Sequence, residues 1–227
     1  MKSALMALIF LLICTGPVVA EDSITVQGDY PVVEELGKGS FEPDEKKDNT
    51  PLIPYTSGVD YREKALAEAL HFLSANVYGY SFVYKPGSVL MKSEESFAVE
   101  LRGFLGPQSA TVIGEGVEDG IYRVKLEFEV TPSVRRWQNA FHSSTLRLLD
   151  SEGTSDFYAG WEGRGAALHD ALRNLVLIAA RRSLSSRPLL LRGDILLKGT
   201  PEFSVGAGRH FCAVSGYVNF VEIVTYD

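Results

Sequence analysis

Apolar and polar positions alternate along this chain in two distinct periods. Leu66, Ala69, Leu70, Leu73 and Val77 recur at helical spacing after an Asp60–Glu63 pair that resembles a capping box. Gly79 supplies a stop, so the pattern predicts an amphipathic helix over 61–78. A second helix is predicted after Gly165 on Leu168, Ala171, Leu172, Leu175, Ile178 and Ala179, ending near Arg181 and Arg182. Those arginines suit the negative end of a helix dipole. Period-two segments follow each helix. Tyr80, Phe82 and Tyr84 alternate, then Phe97, Val99 and Leu101. Thr111-Val112-Ile113 leads to a turn at Glu118-Asp119-Gly120. Next comes the clearest strand, with Val124, Leu126, Phe128 and Val130 on one face and Arg123, Lys125, Glu127 and Glu129 on the other. Beyond the second helix lie Leu189 to Leu191, Ile195 to Leu197, a Gly206-Ala207-Gly208 turn and a last strand from Phe211 to Val224.

The two halves align. Ala65-Leu66-Ala67-Glu68-Ala69-Leu70 matches Ala167-Leu168-His169-Asp170-Ala171-Leu172, and Val124 falls opposite Val214. Helix and strands recur in the same order, which points to an internal duplication with a shorter second copy. The fold class is therefore α+β: two small modules, each one amphipathic helix packed on an antiparallel sheet. The expected organisation is a signal peptide at 1–20, an acidic flexible leader at 21–59, a first module at 60–132, a connector at 133–159 and a second module at 160–227.

The ends of this organisation rest on composition. Residues 1–20 carry one charge, Lys2, then an apolar run from Ala4 to Cys14, a Pro17 break and Val18-Val19-Ala20. That is the order of a secretory signal peptide. The run is short for a membrane span. Periplasmic or secreted localisation follows. Lipid anchoring through Cys14 is the lesser alternative, since bulky Ile13 precedes it. Removal of Cys14 leaves Cys212 alone, so no intramolecular disulfide can form. Residues 21–60 hold ten acidic residues and three basic ones, while the whole chain of 227 residues has a net charge of −7. The acidity thus sits in the leader. Its Ile24-Thr25-Val26 and Tyr30 to Val33 segments read as a short edge strand. No concentrated basic face favours nucleic acid, so nucleic acid is not expected as a partner.

The chemistry-bearing residues form no catalytic constellation. The four histidines, His71, His142, His169 and His210, show no metal-ligand spacing. There is no nucleophile elbow, and Cys212 lies within a strand pattern that favours a buried, inert thiol. Glycines at 103, 106, 114, 116 and 120 suit turns and bulges, not a dinucleotide fingerprint. No cofactor and no metal are expected. In the connector, Trp137 and Phe141 give a short apolar element. They read as core packing between modules, or as an exposed anchor for a partner.

The stretch 61–132 resembles the amino-terminal domain of flagellar assembly protein T (FlgT) and the related domain of small outer-membrane lipoproteins. The resemblance rests on Lys64 to Leu70, Val77-Tyr78-Gly79, Leu101 to Leu105 and the hairpin Val112 to Val124. The hairpin runs one residue longer before Asp119 than the family pattern, and the second copy lacks its Glu-x-x-x-Asp-Gly signature. What the resemblance implies is a non-enzymatic envelope protein: an assembly or scaffold component whose partners are other envelope or flagellar motor proteins. Outer-membrane association and oligomers are within that expectation. One alternative is a ligand-binding module with Tyr78, Tyr80 and Tyr84 lining a pocket between helix and sheet. Another is general outer-membrane assembly. A divergent hydrolase would need a site drawn from distant loops.

Overall fold

The computed structural model describes residues 23–32, 60–88, 92–141 and 146–225. The expected signal peptide, Cys14, His142 and most of the leader lie outside the described residues. Nine strands and three α-helices are described, with two single 3-10 segments: β1 (Ser23–Pro31), α1 (Tyr61–Val77), β2 (Tyr80–Lys85), β3 (Ser96–Leu101), β4 (Thr111–Glu118), β5 (Ile121–Glu129), α2 (Pro132–Phe141), β6 (Leu149–Asp156), α3 (Gly163–Ser183), β7 (Pro188–Leu197), β8 (Glu202–Gly206) and β9 (Arg209–Thr225). The protein is α+β, and all named strand pairs are antiparallel. No helix among the described residues is long and apolar enough to cross a membrane.

One sheet has the order β1-β5-β4. The other runs β3-β2-β7-β9-β6, with β8 on the same edge of β9 that β7 occupies further along. In β5, Val124, Leu126 and Phe128 are buried and the charged residues face out, as the alternation requires. Asp60 caps α1 by accepting from the Glu63 amide at 3.1 Å. Both long helices press an alanine face onto a strand. Ala65, Ala69, Ala167 and Ala171 are each fully buried.

The duplication reaches further than the helices and the strands after them. A Cβ added at Gly28 of β1 would sit 2.1 Å from the Ala65 carbonyl oxygen and 2.4 Å from the Ala69 nitrogen. At Gly153 of β6 it would sit 2.1 Å from the Ala171 nitrogen and 2.4 Å from the Ala167 carbonyl oxygen. The same glycine therefore seats the same alanine pair in each copy. Gly28 pairs with Val124 in β5, and Gly153 pairs with Cys212 in β9. The counterpart of Val124 is thus Cys212, two residues from the expected Val214. A two-residue slip keeps side chains on the same face, which is why the pattern concealed it. The hairpin matches too. Asp119 and Gly120 have φ of 52° and 72°, and Ala207 and Gly208 have φ of 49° and 72°. Both are left-handed two-residue turns, so the second copy keeps the turn geometry while losing the acidic signature.

Three boundaries change accordingly. The leader expected to be flexible over 21–59 contributes β1, the edge strand under α1. The connector expected over 133–159 contains α2 and β6, and β6 belongs to the second copy. The second helix begins at Gly163, ahead of Gly165. The two copies also share one sheet, because β2 pairs with β7 from Tyr80–Ile195 to Tyr84–Leu191. A single hydrophobic cluster spans both, from Val26 and Leu73 to Leu172 and Val218.

β7 and β8 are one strand path broken at Lys198 to Pro201. Asn76, buried near the end of α1, holds that break. Its Nδ2 donates to the Gly199 carbonyl at 2.9 Å, and its Oδ1 accepts from the Gly199 amide at 2.8 Å. The Gln27 amide on the free edge of β1 donates to Thr200 Oγ1 at 3.1 Å. The break thus ties the first copy to the second.

Candidate functional site

Two regions combine polar chemistry with accessibility. The first is an open cleft of about 1090 Å³ between β1 and the β8 end of the second sheet. Asp29 and Gln27 line one wall, Lys198 to Phe203 another, and Arg164 closes the bottom. Arg164 stands in the first turn of α3 and is 6% exposed. Its guanidinium lies 4.1 Å from the Trp161 ring centroid and 4.0 Å from that of Phe203. Flat cation–ring contacts of this kind compensate a desolvated arginine.

The arginine also bridges the copies. Its Nη2 is 3.3 Å from Glu68 on α1 and 4.0 Å from Asp29 on β1. Burial pushes the Glu68 carboxyl up to about 7, against the pull of Arg164 and of the Asp29 amide. Burial also lowers Arg164, with Glu68 and Asp29 opposing it. The Arg164 Nε is buried and has no hydrogen-bond acceptor among the described residues. In the helix alignment Arg62 is the counterpart of Arg164, and it pairs with Glu115 of β4 at 2.9 Å. Glu115 and Phe203 precede their turns by the same distance. Each copy therefore sets its helix-start arginine on the same strand position, once on a carboxylate and once on a ring.

The second region is β4. It is the edge of its sheet, every one of its residues is exposed, and Val112, Ile113 and Val117 are 38%, 49% and 59% exposed. A bulge between Val112 and Gly114 interrupts its pairing with β5. The outer edge offers unpaired backbone groups, and the apolar side chains offer area.

The residues expected to touch a partner are not part of either region. Phe141 is 3% exposed. Trp137 is half-buried beneath Arg102, whose guanidinium is 4.5 Å from the ring and whose Nη1 pairs with Asp194 of β7 at 2.7 Å. The two rings meet edge to face at 4.9 Å. Of the three tyrosines proposed for a ligand pocket, Tyr80 and Tyr84 are buried core residues and Tyr78 packs over Gly103. None of the three lines the cleft. His71 on α1 is half-buried and joins the Tyr80 hydroxyl at 2.9 Å. His169 is exposed and leans on Phe97. Among the described residues no group of His, Cys, Asp or Glu is arranged to hold a metal ion.

Sequence reasoning missed Asp29, Glu68 and Arg164, because nothing local connects them. One signal was present: Arg164 sits between two glycines at a helix start, where a solvated arginine needs neither neighbour.

A family model matches residues 17–226, nearly the whole chain. The chain belongs to that family, which is itself uncharacterised. No curated protein and no solved structure matches it.

Proposed function

We propose that this protein is a non-enzymatic assembly or scaffold component of the cell envelope, acting in the periplasm through protein contact. The resemblance at 61–132 favours the flagellar motor as the assembly. One observation carries the contact reading: β4 is a fully exposed edge strand bearing three apolar side chains, within the hairpin that bears the resemblance. Such an edge accepts an extended segment of a partner by strand addition, and alternate side chains then supply selectivity. The test places a photo-cross-linking residue at Val117 and recovers adducts from envelope fractions of the source cell. Basal-body or motor proteins in the adducts support the reading. Their absence from a flagellated cell sinks the flagellar version.

The cleft favours a second reading, a periplasmic binding module. Its volume is slightly above the usual range of ligand pockets, and Lys125, Lys198 and Asp29 along it select a polar, charged ligand. Calorimetric titration of the purified protein with periplasmic extract fractions, repeated on Phe203→Ala, separates a ligand in the cleft from nonspecific uptake.

A further inference from the structure

The regular part of β4 is short and has a clear centre. Its hairpin to β5 turns at Asp119 and Gly120. From there the pairing runs without a break from Glu118–Ile121 back to Gly114–Lys125, where the bulge begins. The stretch Gly114–Glu118 is therefore centred on Gly116. In a hairpin with a two-residue turn the closing residues bond to each other, and the bonded positions then alternate. β5 thus takes the backbone groups of Glu118, Gly116 and Gly114, while those of Glu115 and Val117 face away from it.

The two faces of this stretch differ. Glu115 pairs with Val124, which is buried on the α1 face, so Glu115 and Val117 stand on that face. Arg62 of α1 already holds Glu115 at 2.9 Å. The other face has glycine at 114 and 116 and a carboxylate at 118, which Arg123 holds. A Cβ at Gly116 would meet nothing within 4 Å, and one at Gly114 would meet Lys125 Cβ at 3.9 Å. Lys125 itself makes no ion pair among the described residues.

We infer that β4 pairs antiparallel with β4 of a second molecule of this chain, across a two-fold axis at Gly116. The inference rests on the reading of β4 as a pairing edge, and it names what covers that edge when no other strand is present. The outward backbone groups allow registers only in two-residue steps, and charge selects among them. An axis at Glu115 sets Glu115 against its own copy in the partner molecule. An axis at Val117 sets Glu115 against Asp119. With the axis at Gly116, Glu115 meets Val117 and Gly114 meets Glu118 of the partner molecule. Gly114 has no side chain, so Lys125 reaches past it to that Glu118, two strand spacings or about 9.5 Å away. The two-fold axis makes the contact twice. A second molecule thus supplies the acid that Lys125 lacks, and it fits the whole regular stretch between bulge and turn. The match is short, so the pair is weak, and a longer strand from an envelope protein displaces it. Until then the pair covers an edge that would otherwise recruit unrelated strands.

The test uses the purified full chain carrying Cys14→Ala, whose remaining cysteine, Cys212, is buried. Sedimentation should show a reversible dimer that grows with concentration. Lys125→Glu and Glu118→Lys each set like charges together and should each weaken the dimer by about ten-fold. An equal mixture of the two variants restores opposite charges at both contacts and should dimerise like the parent. Gly116→Cys places a thiol on the axis, so mild oxidation should join two molecules through it. Gly114→Cys lies opposite Glu118 and should not cross-link. A chain that is monomeric at every concentration overturns the inference. So does a variant mixture no stronger than its components, or equal cross-linking through both cysteines. A monomer that still yields motor adducts at Val117 loses the self-pairing and keeps β4 as a partner edge. A dimer without motor adducts keeps the self-pairing and loses the flagellar version.

Discussion

The backbone amide of Asp29 donates to Glu68 Oε2 at 2.6 Å. The same bond is made again in the second copy, where the Thr154 amide donates to Asp170 Oδ2 at 3.0 Å. Each donor is the residue after the glycine that seats the helix, and each acceptor lies on that helix between the two alanines. β1 and β6 are both edge strands. An edge amide left open is a template for another chain, and here a helix carboxylate closes it in both copies. β4 has no such cover, and that contrast supports the view that its edge is kept for a partner.

The two carboxylates differ in what else surrounds them, and that difference gives a pH dependence. Glu68 is half-buried beside Arg164, Asp29 and Cys212, and its carboxyl is raised from 4.5 to about 7, chiefly by desolvation. A raised folded-state value means that the neutral form is favoured by folding. The stability from this group is full below about 4.5 and is lost as pH rises through about 7. Glu68→Gln keeps an acceptor for the Asp29 amide and removes the titration. The parent should lose on the order of 1–3 kcal/mol relative to the variant between about pH 5 and about pH 8. Urea denaturation of both at the two pH values reads this difference. Parallel curves would show that Glu68 is charged throughout.

Gly28 and Gly153 are required by contact, not by backbone angle. Gly153→Ala would place a methyl group against the Ala171 nitrogen, part of a helix backbone that cannot yield alone. A loss of about 1–3 kcal/mol or more is expected, as for other overpacked sites. Gly116→Ala on β4 meets nothing within 4 Å and should lie within about 0.5 kcal/mol of the parent. Thermal and chemical denaturation of the pair checks both. Equal stability of the two variants would mean that α3 does not sit on β6 as described.

The parts of this fold that were legible in the sequence are those whose own side chains alternate. α1 and β5 each carry a periodic apolar face. β6, with the sequence Leu-Asp-Ser-Glu-Gly-Thr-Ser-Asp, has one large apolar residue and reads as a loop. It becomes a strand because β9 pairs with it along its whole length. β1 was legible as a short edge strand on Ile24 to Val26 and Tyr30 to Val33, although the acidic composition around it reads as a flexible leader. The Asp29–Glu68–Arg164 cluster was not legible, since it draws on three elements that meet only after folding. Trp137 and Phe141 were read correctly as an apolar element. Their burial depends on Arg102 and β9, which no local pattern announces.

Asn76 fixes the break between β7 and β8. Asn76→Ala removes both bonds to Gly199, whose own backbone is exposed and can turn to water, and empties a buried polar position in α1. The expected cost is about 1–3 kcal/mol. The break also bears Thr200, which caps the Gln27 amide. Hydrogen exchange should therefore quicken at both Gly199 and Gln27, while amides in β4 keep their rates. An effect confined to α1 would instead show that Asn76 serves its own helix only, through its bond to the Phe72 carbonyl.

Cys212 provides a direct report on the shared core. It is fully buried in β9 opposite Gly153, and burial pushes its thiol up to about 12. Only the thiolate attacks a disulfide reagent, so a folded chain has neither access nor an ionised sulfur at neutral pH. Labelling of Cys212 by an aromatic disulfide reagent in the Cys14→Ala variant should be slow and should rise with denaturant in step with global unfolding. Gly153→Ala loosens the wall against which this strand packs, and it should raise the labelling rate about ten-fold for each roughly 1.4 kcal/mol of stability lost. Rapid labelling of the folded parent would place the thiol at the surface and overturn the packing of β9 beneath α3.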